Sequence, residues 1–441
     1  MSLSGTSYTQ RHIFLFWLPL AASWLLMSAE GPVLQAVIAR LGDIATQLAA
    51  FGIVTSLEIA IESPVIMLLA TSTALATSGR NYRVLRRFVI WLNTLVTIVA
   101  ILVAFTPLFD LIVRRIMGIP GPIADAAQPG LMIMVGWSAA IGFRRFVQGV
   151  LIRHGQTRWV GYGTVSRLLA SAGAGIGLAI LTSLPGVYIA SIALMAGVIT
   201  EALFVAFAAR ATIRRVLNKP AASSTDLVSF KDVLKFHTPL AATSLLTLLA
   251  QPIVGAGLAR MPHPRETLAA WPVIWGILFI FRSAAFALPE AVIALVSDYI
   301  HRESVRRFCR TVGVISSAAM LLLAATPLAS LYLRYVAGIP DLLARFVTPG
   351  ILLFVPMPFI NSVHSWYRGL LMSARKTGVI YRGMGVNLAL TGSLMFAGVL
   401  FHLPGIEVAV LSLVLSLLVE LYYLRGRARI ERYPRNLGQG G

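Results

Sequence analysis

The stretch TPLFDLIVRRIMGIPGPIADAAQPG at residues 106–130 returns as TPLASLYLRYVAGIPDLLARFVTPG at residues 326–350, an offset of 220. Both stretches begin with Thr-Pro-Leu, carry Gly-Ile-Pro in the middle and end on Pro-Gly, without a gap. Proline and glycine are not interchangeable with the apolar residues around them, because they restrict or free the backbone. The match therefore indicates an internal duplication and not a chance similarity of two hydrophobic segments.

The offset of 220 residues holds along most of the chain. Equivalent segments include Pro19-Leu20-Ala21-Ala22 and Pro239-Leu240-Ala241-Ala242, Pro32 and Pro252, Arg40 and Arg260, and Arg86-Arg87-Phe88 and Arg306-Arg307-Phe308. After one deletion, Leu184-Pro185-Gly186 corresponds to Leu403-Pro404-Gly405, and Glu201 to Glu420. The duplication predicts an N-terminal lobe at 1–209, a cytoplasmic linker at 210–232, a C-terminal lobe at 233–429 and a cytoplasmic tail at 430–441.

Each copy consists of long apolar segments. Of the 441 residues, 57% are hydrophobic and 12% are charged, about half the charged share of a soluble domain. The mean hydropathy is +0.81. A helix needs roughly 20 apolar residues to cross a bilayer, and six such spans can be drawn in each copy. The sequence therefore predicts an all-α membrane protein with twelve transmembrane helices in two six-helix lobes. Because six is an even number, a pseudo-twofold axis along the membrane normal should relate the lobes, with a cleft between them.

The formal net charge of +20 is placed mainly in alternate loops. Most arginines and lysines follow the even-numbered spans, which is the pattern of the positive-inside rule. Such basic loop residues include Arg80, Arg83, Arg153, Arg158, Arg214, Arg215, Arg302 and Arg307. The pattern predicts a multi-pass protein of the cell (inner) membrane with both termini in the cytoplasm. It also argues against nucleic acid as a partner.

No pattern in the sequence points to catalysis or to a cofactor. The chain lacks a Walker loop, HExxH and GxSxG motifs and any metal-ligand spacing of His and Cys. Cys309 is the only cysteine, and we expect it to be buried and inert. We predict that the protein is not an enzyme and holds no cofactor or metal. Two complete lobes in one chain remove the need for a dimer, so we expect a monomer in the lipid bilayer.

Carboxylates within the predicted spans are the first functional candidates, because an ionisable group in lipid is unfavourable. Glu58 and Glu62 lie one helical turn apart on the second span and share a face. Glu30 precedes Gly31-Pro32, where we expect the first span to be interrupted. We predict that these three glutamates act in ion coupling or gating. The alternative is that arginines of neighbouring helices neutralise them.

Basic and polar side chains deep in the spans are the second set of candidates. Guanidinium groups bind carboxylate and phosphate oxygens bidentately, so several of them around a cleft predict an anionic small-molecule substrate. The alternative is structural pairing with the glutamates. The predicted substrate-binding residues are Arg144, Arg145, Arg282, Asn361, His364 and Arg368. By the repeat, Arg144, Arg145 and Gln148 correspond to His364, Ser365 and Arg368, and Arg167 corresponds to Asn387.

The repeat also suggests ion pairs. Opposite charges at equivalent positions facing one cleft predict a gate between the lobes, and carboxylates on the last span of each lobe are expected near cytoplasmic arginines. The predicted pairs are Glu62 with Arg282 across the cleft, Glu201 with Arg210, and Glu420 with Arg425.

Two segments resemble the progressive ankylosis protein family. They are LAAFGIVTSL at 48–57 followed by Ser63-Pro64, and QGVLIRH at 148–154 followed by Val160-Gly161. That family is similar to the multidrug, oligosaccharide-lipid and polysaccharide exporters, whose MATE-like fold has two six-helix lobes in a V shape. The resemblance implies export of inorganic pyrophosphate, nucleoside triphosphates such as ATP, and citrate. Glu58, Glu62 and Arg144-Arg145 depart from the family, so no binding residue is carried over.

Together these features predict an alternating-access exporter of small organic or phosphate-containing anions. Three alternatives stay open at this point. In a cation or drug antiporter, the glutamates would hold the substrate. In a flippase of lipid-linked headgroups, arginines beside a lipid-open cleft would bind diphosphate. A membrane scaffold would show arginines fully paired to glutamates and no open cavity.

Overall fold

The computed structural model of the protein describes residues 9–218, 227–296, 299–374 and 376–429. All regular elements within these ranges are helical. The α-helices are α1 (Gln10–Ile38), α2 (Ile44–Ile66), α3 (Leu68–Leu75), α4 (Gly79–Phe105), α5 (Gly121–Ile133), α6 (Trp137–Arg153), α7 (Arg158–Leu181), α8 (Gly186–Leu217), α9 (Phe230–Leu248), α10 (Ala250–Leu258), α11 (Pro264–Phe286), α12 (Leu288–Leu295), α13 (Tyr299–Ala325), α14 (Leu328–Leu331), α15 (Asp341–Leu353), α16 (Met357–Ser373), α17 (Thr377–Leu400) and α18 (Gly405–Arg429). Two π-helical segments, Asp110–Ile116 and Tyr332–Val336, occupy equivalent places in the two lobes. The middle of the predicted linker and the predicted tail at 430–441 lie outside the described residues.

The helices form the two predicted sets of spans. Among the described residues, ten helices or consecutive helix pairs are long and apolar enough to cross a membrane. Two bent pairs bring the number to twelve: α5 with α6 at an angle of 44°, and α15 with α16 at 43°. The second span of each lobe is broken into α2–α3 and α11–α12, with Pro64 and Pro289 beside the breaks. Proline removes a backbone donor and bends the helix at these points. The predicted all-α fold of two six-span lobes is confirmed.

The first span differs from its prediction. Helix α1 runs unbroken past Gly31-Pro32, so the predicted interruption beside Glu30 is wrong. The helix is packed there between α7 and α11, and Gln35 donates a hydrogen bond to the carbonyl oxygen of Pro272 over 2.9 Å. Contacts on both sides hold the helix together despite the proline. In the second lobe the equivalent span is split between α9 and α10.

The bundle has two distinct ends. We call the end with the α1–α2 turn and the two π-helical segments the outer end, because the basic loops predict that it faces outward. The opposite end, with Thr9 and the start of α9, is the inner end. Near the inner end, Cys309 is buried and unpaired, which confirms its predicted burial.

The inner half of α1 packs into the second lobe. Ile13, Trp17 and Ala21 belong to one buried apolar cluster with residues of α11, α12, α13 and α16. The Trp17 indole donates a hydrogen bond to the carbonyl oxygen of Ala284 over 3.2 Å. Its ring meets Phe308 edge-on, with centroids 5.4 Å apart. Further along α1, Leu34 lies beside Gly175 of α7 and Ile38 beside Gly186 of α8, so this helix has contacts in both lobes.

Helix α9 makes the reciprocal exchange into the first lobe. His237, the equivalent of Trp17, packs its ring edge-on against Phe88, the equivalent of Phe308, at 5.1 Å. A His237 ring nitrogen lies 2.9 Å from the carbonyl oxygen of Pro64, which is equivalent to Ala284. The contacts therefore repeat residue for residue under the pseudo-twofold axis.

Helix crossings within each lobe depend on glycine. A Cβ atom on Gly149 of α6 would lie 2.6 Å from the carbonyl oxygen of Leu69 in α3. A Cβ atom on the equivalent Gly369 of α16 would lie 2.7 Å from the Val292 Cβ atom in α12. Small residues let membrane helices approach this closely. The second part of the broken second span of each lobe, α3 or α12, is thereby held against the broken fourth span.

We expect Gly149→Ala and Gly369→Ala to destabilise the protein, because the new methyl group overlaps a neighbouring helix and overpacking costs about 1–3 kcal/mol. Gly173→Ala in α7 is the matched control, since nothing lies within 4 Å of its added Cβ atom. Thermal unfolding of the purified protein in detergent measures the effect. The control should match or slightly exceed the wild type, and an equal midpoint for all three variants would contradict the packing argument.

Candidate functional site

The candidate residues are concentrated on α6 and α16, the inner parts of the broken fourth and tenth spans. Each helix starts after a bend of more than 40°. The bend follows Pro129 in α5 and Pro349 in α15 by about one turn. It directs α6 against α3 and α8, and α16 against α12, α13 and α18. Polar residues of these helices are thereby turned into the lobes.

Glu201 of α8 is the centre of a buried network in the first lobe. Its carboxylate accepts a hydrogen bond from Nη1 of Arg144 at 2.5 Å and from Nε2 of Gln148 at 3.0 Å, and Nη1 of Arg167 lies 3.8 Å away. The Glu201 side chain is 0% exposed and that of Arg144 is 2% exposed. The predicted pair with Arg210 is therefore wrong. Packing of α6 against α8 provides a closer partner than the arginine two turns along the same helix.

Arg167 of α7 links this network to the first two spans. Its Nε atom lies 3.0 Å from both carboxylate oxygens of Glu30, and its Nη2 atom lies 2.5 Å from one of them. The guanidinium also stacks over the Trp137 ring at 5.2 Å. The Trp137 indole in turn donates to Oε2 of Glu62 at 2.5 Å. Glu30 thus has a counter-charge, and Glu62 has a neutral hydrogen-bond donor.

Glu58 and Arg145 stand apart from these pairings. The Glu58 side chain is buried, and neither carboxyl oxygen has a hydrogen-bond partner in the part of the chain that the structure describes. The Nε atom of Arg145 is also buried without a partner there. A buried polar group without a partner is unfavourable. In a membrane protein such a group is a functional candidate.

Glu420 of α18 has the same place in the second lobe as Glu201 in the first. Nε2 of His364 lies 2.9 Å from one carboxyl oxygen, and Nδ2 of Asn387 donates to the other over 2.9 Å. The predicted pair of Glu420 with Arg425 is wrong for the same reason as in the first lobe. The last span of each lobe is therefore tied through one carboxylate to the fourth and fifth spans of that lobe.

Arg282 of α11 has partners of a different kind. Its guanidinium lies over two rings of its own helix, Trp275 at 5.2 Å and Phe286 at 4.9 Å. Nη2 donates to Oδ1 of Asn361 over 3.3 Å, while Nε is buried and unpartnered within the described residues. The predicted pair between Glu62 and Arg282 is not among the contacts of either residue. This arginine is held by aromatic faces, which leave N–H groups at its edge.

Arg368 lies two turns beyond Asn361 on the same face of α16. Its side chain is half-buried, and it forms no hydrogen bond or ion pair within 9–218, 227–296, 299–374 and 376–429. Glu290 of α12 is exposed. The second lobe therefore presents two arginines, Arg282 and Arg368, without a carboxylate at salt-bridge distance among the described residues.

The aromatic partners of the arginines are not among the residues predicted from the sequence. Trp137 joins two ionisable residues, and Trp275 and Phe286 hold Arg282. The last two could have been found, because they lie seven residues before and four residues after Arg282 and so share its helical face. No group of three or more His, Cys, Asp or Glu in the described ranges could hold a metal ion.

Comparison with known proteins gives the fold. No protein-family model and no curated protein matches the chain. An inward-facing multidrug resistance MATE family transporter of the MOP superfamily matches with a TM-score of 0.73 and 14% identity, over 99% of this chain and 98% of that chain. An outward-facing transporter of the same description matches with a TM-score of 0.67 and 15% identity, over 96% of each chain.

A third solved structure is a MOP superfamily transporter from Pyrococcus furiosus, described by the reverse polarity of its binding pocket. It matches with a TM-score of 0.66 and 14% identity, over 97% of this chain and all of that chain. The chain is therefore a multi-pass membrane protein with the fold of the MATE transporters. The closer resemblance to the progressive ankylosis family is not confirmed by these likenesses and stays a prediction.

We expect Glu201→Ala to be strongly destabilising, because it leaves the buried Arg144 guanidinium without its counter-charge. Breaking a buried ion pair costs about 3–5 kcal/mol. Glu303→Ala is the control, since its pair with Arg306 lies at the surface and such pairs contribute about 0–1 kcal/mol. Thermal unfolding in detergent compares the two. Equal midpoints would show that the network does not stabilise the lobe.

Proposed function

We propose that the protein is an alternating-access transporter that exports small organic or phosphate-containing anions. The fold supports transport, because solved structures with this fold are described as inward-facing and outward-facing conformations of transporters. Two lobes related by an axis along the membrane normal suit a substrate site at their interface. The fold does not determine the charge of the substrate, so that charge has to be inferred from the residues of this chain.

The proposal depends on one observation about the two candidate arginines of the second lobe. Arg282 and Arg368 have no carboxylate at salt-bridge distance among the described residues, whereas Arg144 and Arg167 are held by glutamates. A positive charge inside a membrane domain needs a counter-charge or water. An anionic substrate would supply that counter-charge during part of the transport cycle.

The surroundings of Arg282 suit bidentate binding. Aromatic rings cover its guanidinium faces, and Asn361 accepts one N–H group. The orientation of the planar group is thus set before an anion arrives, which reduces the ordering required on binding. The remaining N–H groups match the two oxygens of a carboxylate or phosphate. We assign His364 and Arg144 to positioning, because Glu420 and Glu201 occupy them.

Glu58 is the residue that we assign to ion coupling. Its carboxyl group is buried and unpartnered in the described structure, whereas Glu30 and Glu62 are held by Arg167 and Trp137. A carboxyl group without a fixed partner is free to exchange a proton whenever water reaches it. Glu30 and Glu62 would then act through the network, by changing the position of Arg167.

Antiport of organic cations is the second candidate function. Glu58 favours it, since an unpaired carboxylate suits a cationic substrate as well as a proton. Multidrug resistance transporters share the fold. The Pyrococcus furiosus transporter is described as having a pocket of reverse polarity, which supports the view that this fold accommodates pockets of either sign.

We expect Arg282→Gln and Arg368→Gln to reduce anion efflux from proteoliposomes loaded with labelled citrate, ATP or pyrophosphate. A hydrogen bond to a charged group contributes about 1.5–3 kcal/mol, so apparent affinity should fall roughly ten- to hundredfold for each variant. Arg345→Gln, which removes the same charge from an exposed position of α15, should transport like the wild type. Folded wild-type protein that moves none of the anions, but moves organic cations, would overturn the proposal in favour of the second candidate.

We expect Glu58→Gln to leave substrate binding intact and to remove the dependence of transport on a pH gradient, because the amide cannot carry a proton. Efflux is measured with and without an imposed gradient. Glu303→Gln, an exposed carboxylate, should keep the full dependence. A Glu58→Gln protein that still responds to the gradient would exclude this residue from coupling.

A further inference from the structure

Arg40 and Arg260 end the first span of the two lobes at equivalent positions. Nη2 of Arg40 donates to the carbonyl oxygens of Tyr335 and Val336 in the second lobe, over 3.2 and 3.0 Å. Its Nη1 atom donates to Ala36 of its own helix over 2.7 Å. The side chain is therefore anchored at its base in one lobe and reaches into the other.

Arg260 makes the same contacts in the opposite direction. Nη2 donates to the carbonyl oxygens of Ile116 at 2.5 Å and Arg115 at 3.3 Å in the first lobe, and Nη1 donates to Met117. Its anchor is the carbonyl oxygen of Ala256 at 2.9 Å. Both arginines thus bind the carbonyl groups at the end of the π-helical segment of the other lobe. These groups have no partner within their helix and carry partial negative charge.

Glycine is required beside each arginine. Gly118 and Gly338 follow the π-helical segments with φ of 68° and 70°, a conformation that L residues rarely adopt. A Cβ atom on Gly118 would lie 2.9 Å from Cζ of Arg260, and one on Gly338 would lie 3.3 Å from Nη1 of Arg40. The repeated Gly-Ile-Pro motif therefore both turns the chain and leaves room for the guanidinium.

These contacts lie at the outer end, where other contacts also join the lobes. Nη2 of Arg265 in the second lobe donates to Asp43 in the first over 2.6 Å. Both side chains of this ion pair are about half exposed, and solvent weakens the attraction between exposed charges. Gly52 of α2 packs against Pro272 of α11. Unlike the glutamate networks, Arg40 and Arg260 are exposed, so water can replace their carbonyl partners when the lobes part.

We propose that Arg40 and Arg260 form a two-armed latch that holds the outer ends of the lobes together and opens in each transport cycle. The opening step rests on the proposed alternating-access function, but the holding contact does not. Each arm crosses the pseudo-twofold axis, so separation of the lobes breaks both arms at once. Reversible contacts to backbone carbonyls hold the closed state without leaving a buried charge in the open state.

The distance between the outer ends tests the latch without any substrate. Spin labels are placed on Gly42→Cys and Pro262→Cys, which are exposed and equivalent in the repeat, after Cys309→Ser removes the native thiol. Double electron–electron resonance then measures the distance distribution in nanodiscs. For Arg40→Gln with Arg260→Gln, we expect the population with separated outer ends to rise roughly tenfold.

Two sets of variants keep the test specific. Arg115→Gln and Arg334→Gln remove the same charge from the π-helical segments. These segments contribute only backbone carbonyl oxygens to the latch, so both variants should leave the distance distribution unchanged. Gly338→Ala displaces Arg40 without removing it and should shift the distribution in the same direction as Arg40→Gln alone. Monodisperse elution and a single cooperative unfolding transition identify folded variants, and the single variants serve if the double variant does not fold.

The outcomes separate the latch from the proposed function. An unchanged distance distribution in folded Arg40→Gln, Gly338→Ala and double variants overturns the latch, whatever the transport assay shows. A shift in the two controls as large as in the latch variants also overturns it. A shift restricted to the latch variants supports it, even if the anions tested in the efflux assay are not transported.

Discussion

A carboxylate removed from water needs hydrogen-bond donors or a counter-charge close by. Each lobe contains such a buried carboxylate on its last span. Glu201 and Glu420 meet this need with side chains from the fourth and fifth spans. These contacts fix the fourth, fifth and last spans of each lobe relative to one another. In the first lobe it extends through Arg167 to Glu30 of α1. In the proposed transport cycle, the lobes would then move as two bodies whose interiors are already fixed.

The two lobes use the same positions with different charges. The first lobe has Glu62 and Gln148 where the second has Arg282 and Arg368. At these two positions the first lobe therefore has a carboxylate and an amide. The second lobe has the two arginines that lack a carboxylate at salt-bridge distance among the described residues. A duplicated scaffold with identical halves would present two copies of one surface. Divergence at a few interior positions has instead given the two lobes different charges at equivalent places.

The sequence predicted the architecture far better than the partners within it. Proline, glycine and arginine kept in register identified the duplication, and hydropathy identified the spans. Helical spacing correctly placed Glu58 and Glu62 on one face, because that depends on local geometry alone. The predicted partner of Glu201 was wrong. The prediction used Arg210, which lies on the same helix, whereas the observed partner, Arg144, is brought close by the packing of α6 on α8, which depends on the whole lobe.

Local rules also failed where tertiary contacts opposed them. Gly31-Pro32 is a breaking sequence, yet α1 continues because neighbouring helices enclose it. The aromatic partners of Arg282 follow from helical spacing, but their contact with the guanidinium depends on a side-chain orientation that the sequence does not specify. The Gly-Ile-Pro motif was recognised only as part of the repeat. Its second role, leaving space for an arginine of the other lobe, becomes visible only when the lobes are brought together.

The exchange of α1 and α9 between the lobes has a consequence for the origin of the molecule. In a single six-helix ancestor with these contacts, the residue at the position of Trp17 would have had no partner within its own copy. A second copy would have supplied that partner. Exchange of an identical element is a simple route to a symmetric dimer. The present chain is then such a dimer joined by a linker, and cutting the linker would leave its two halves interlocked.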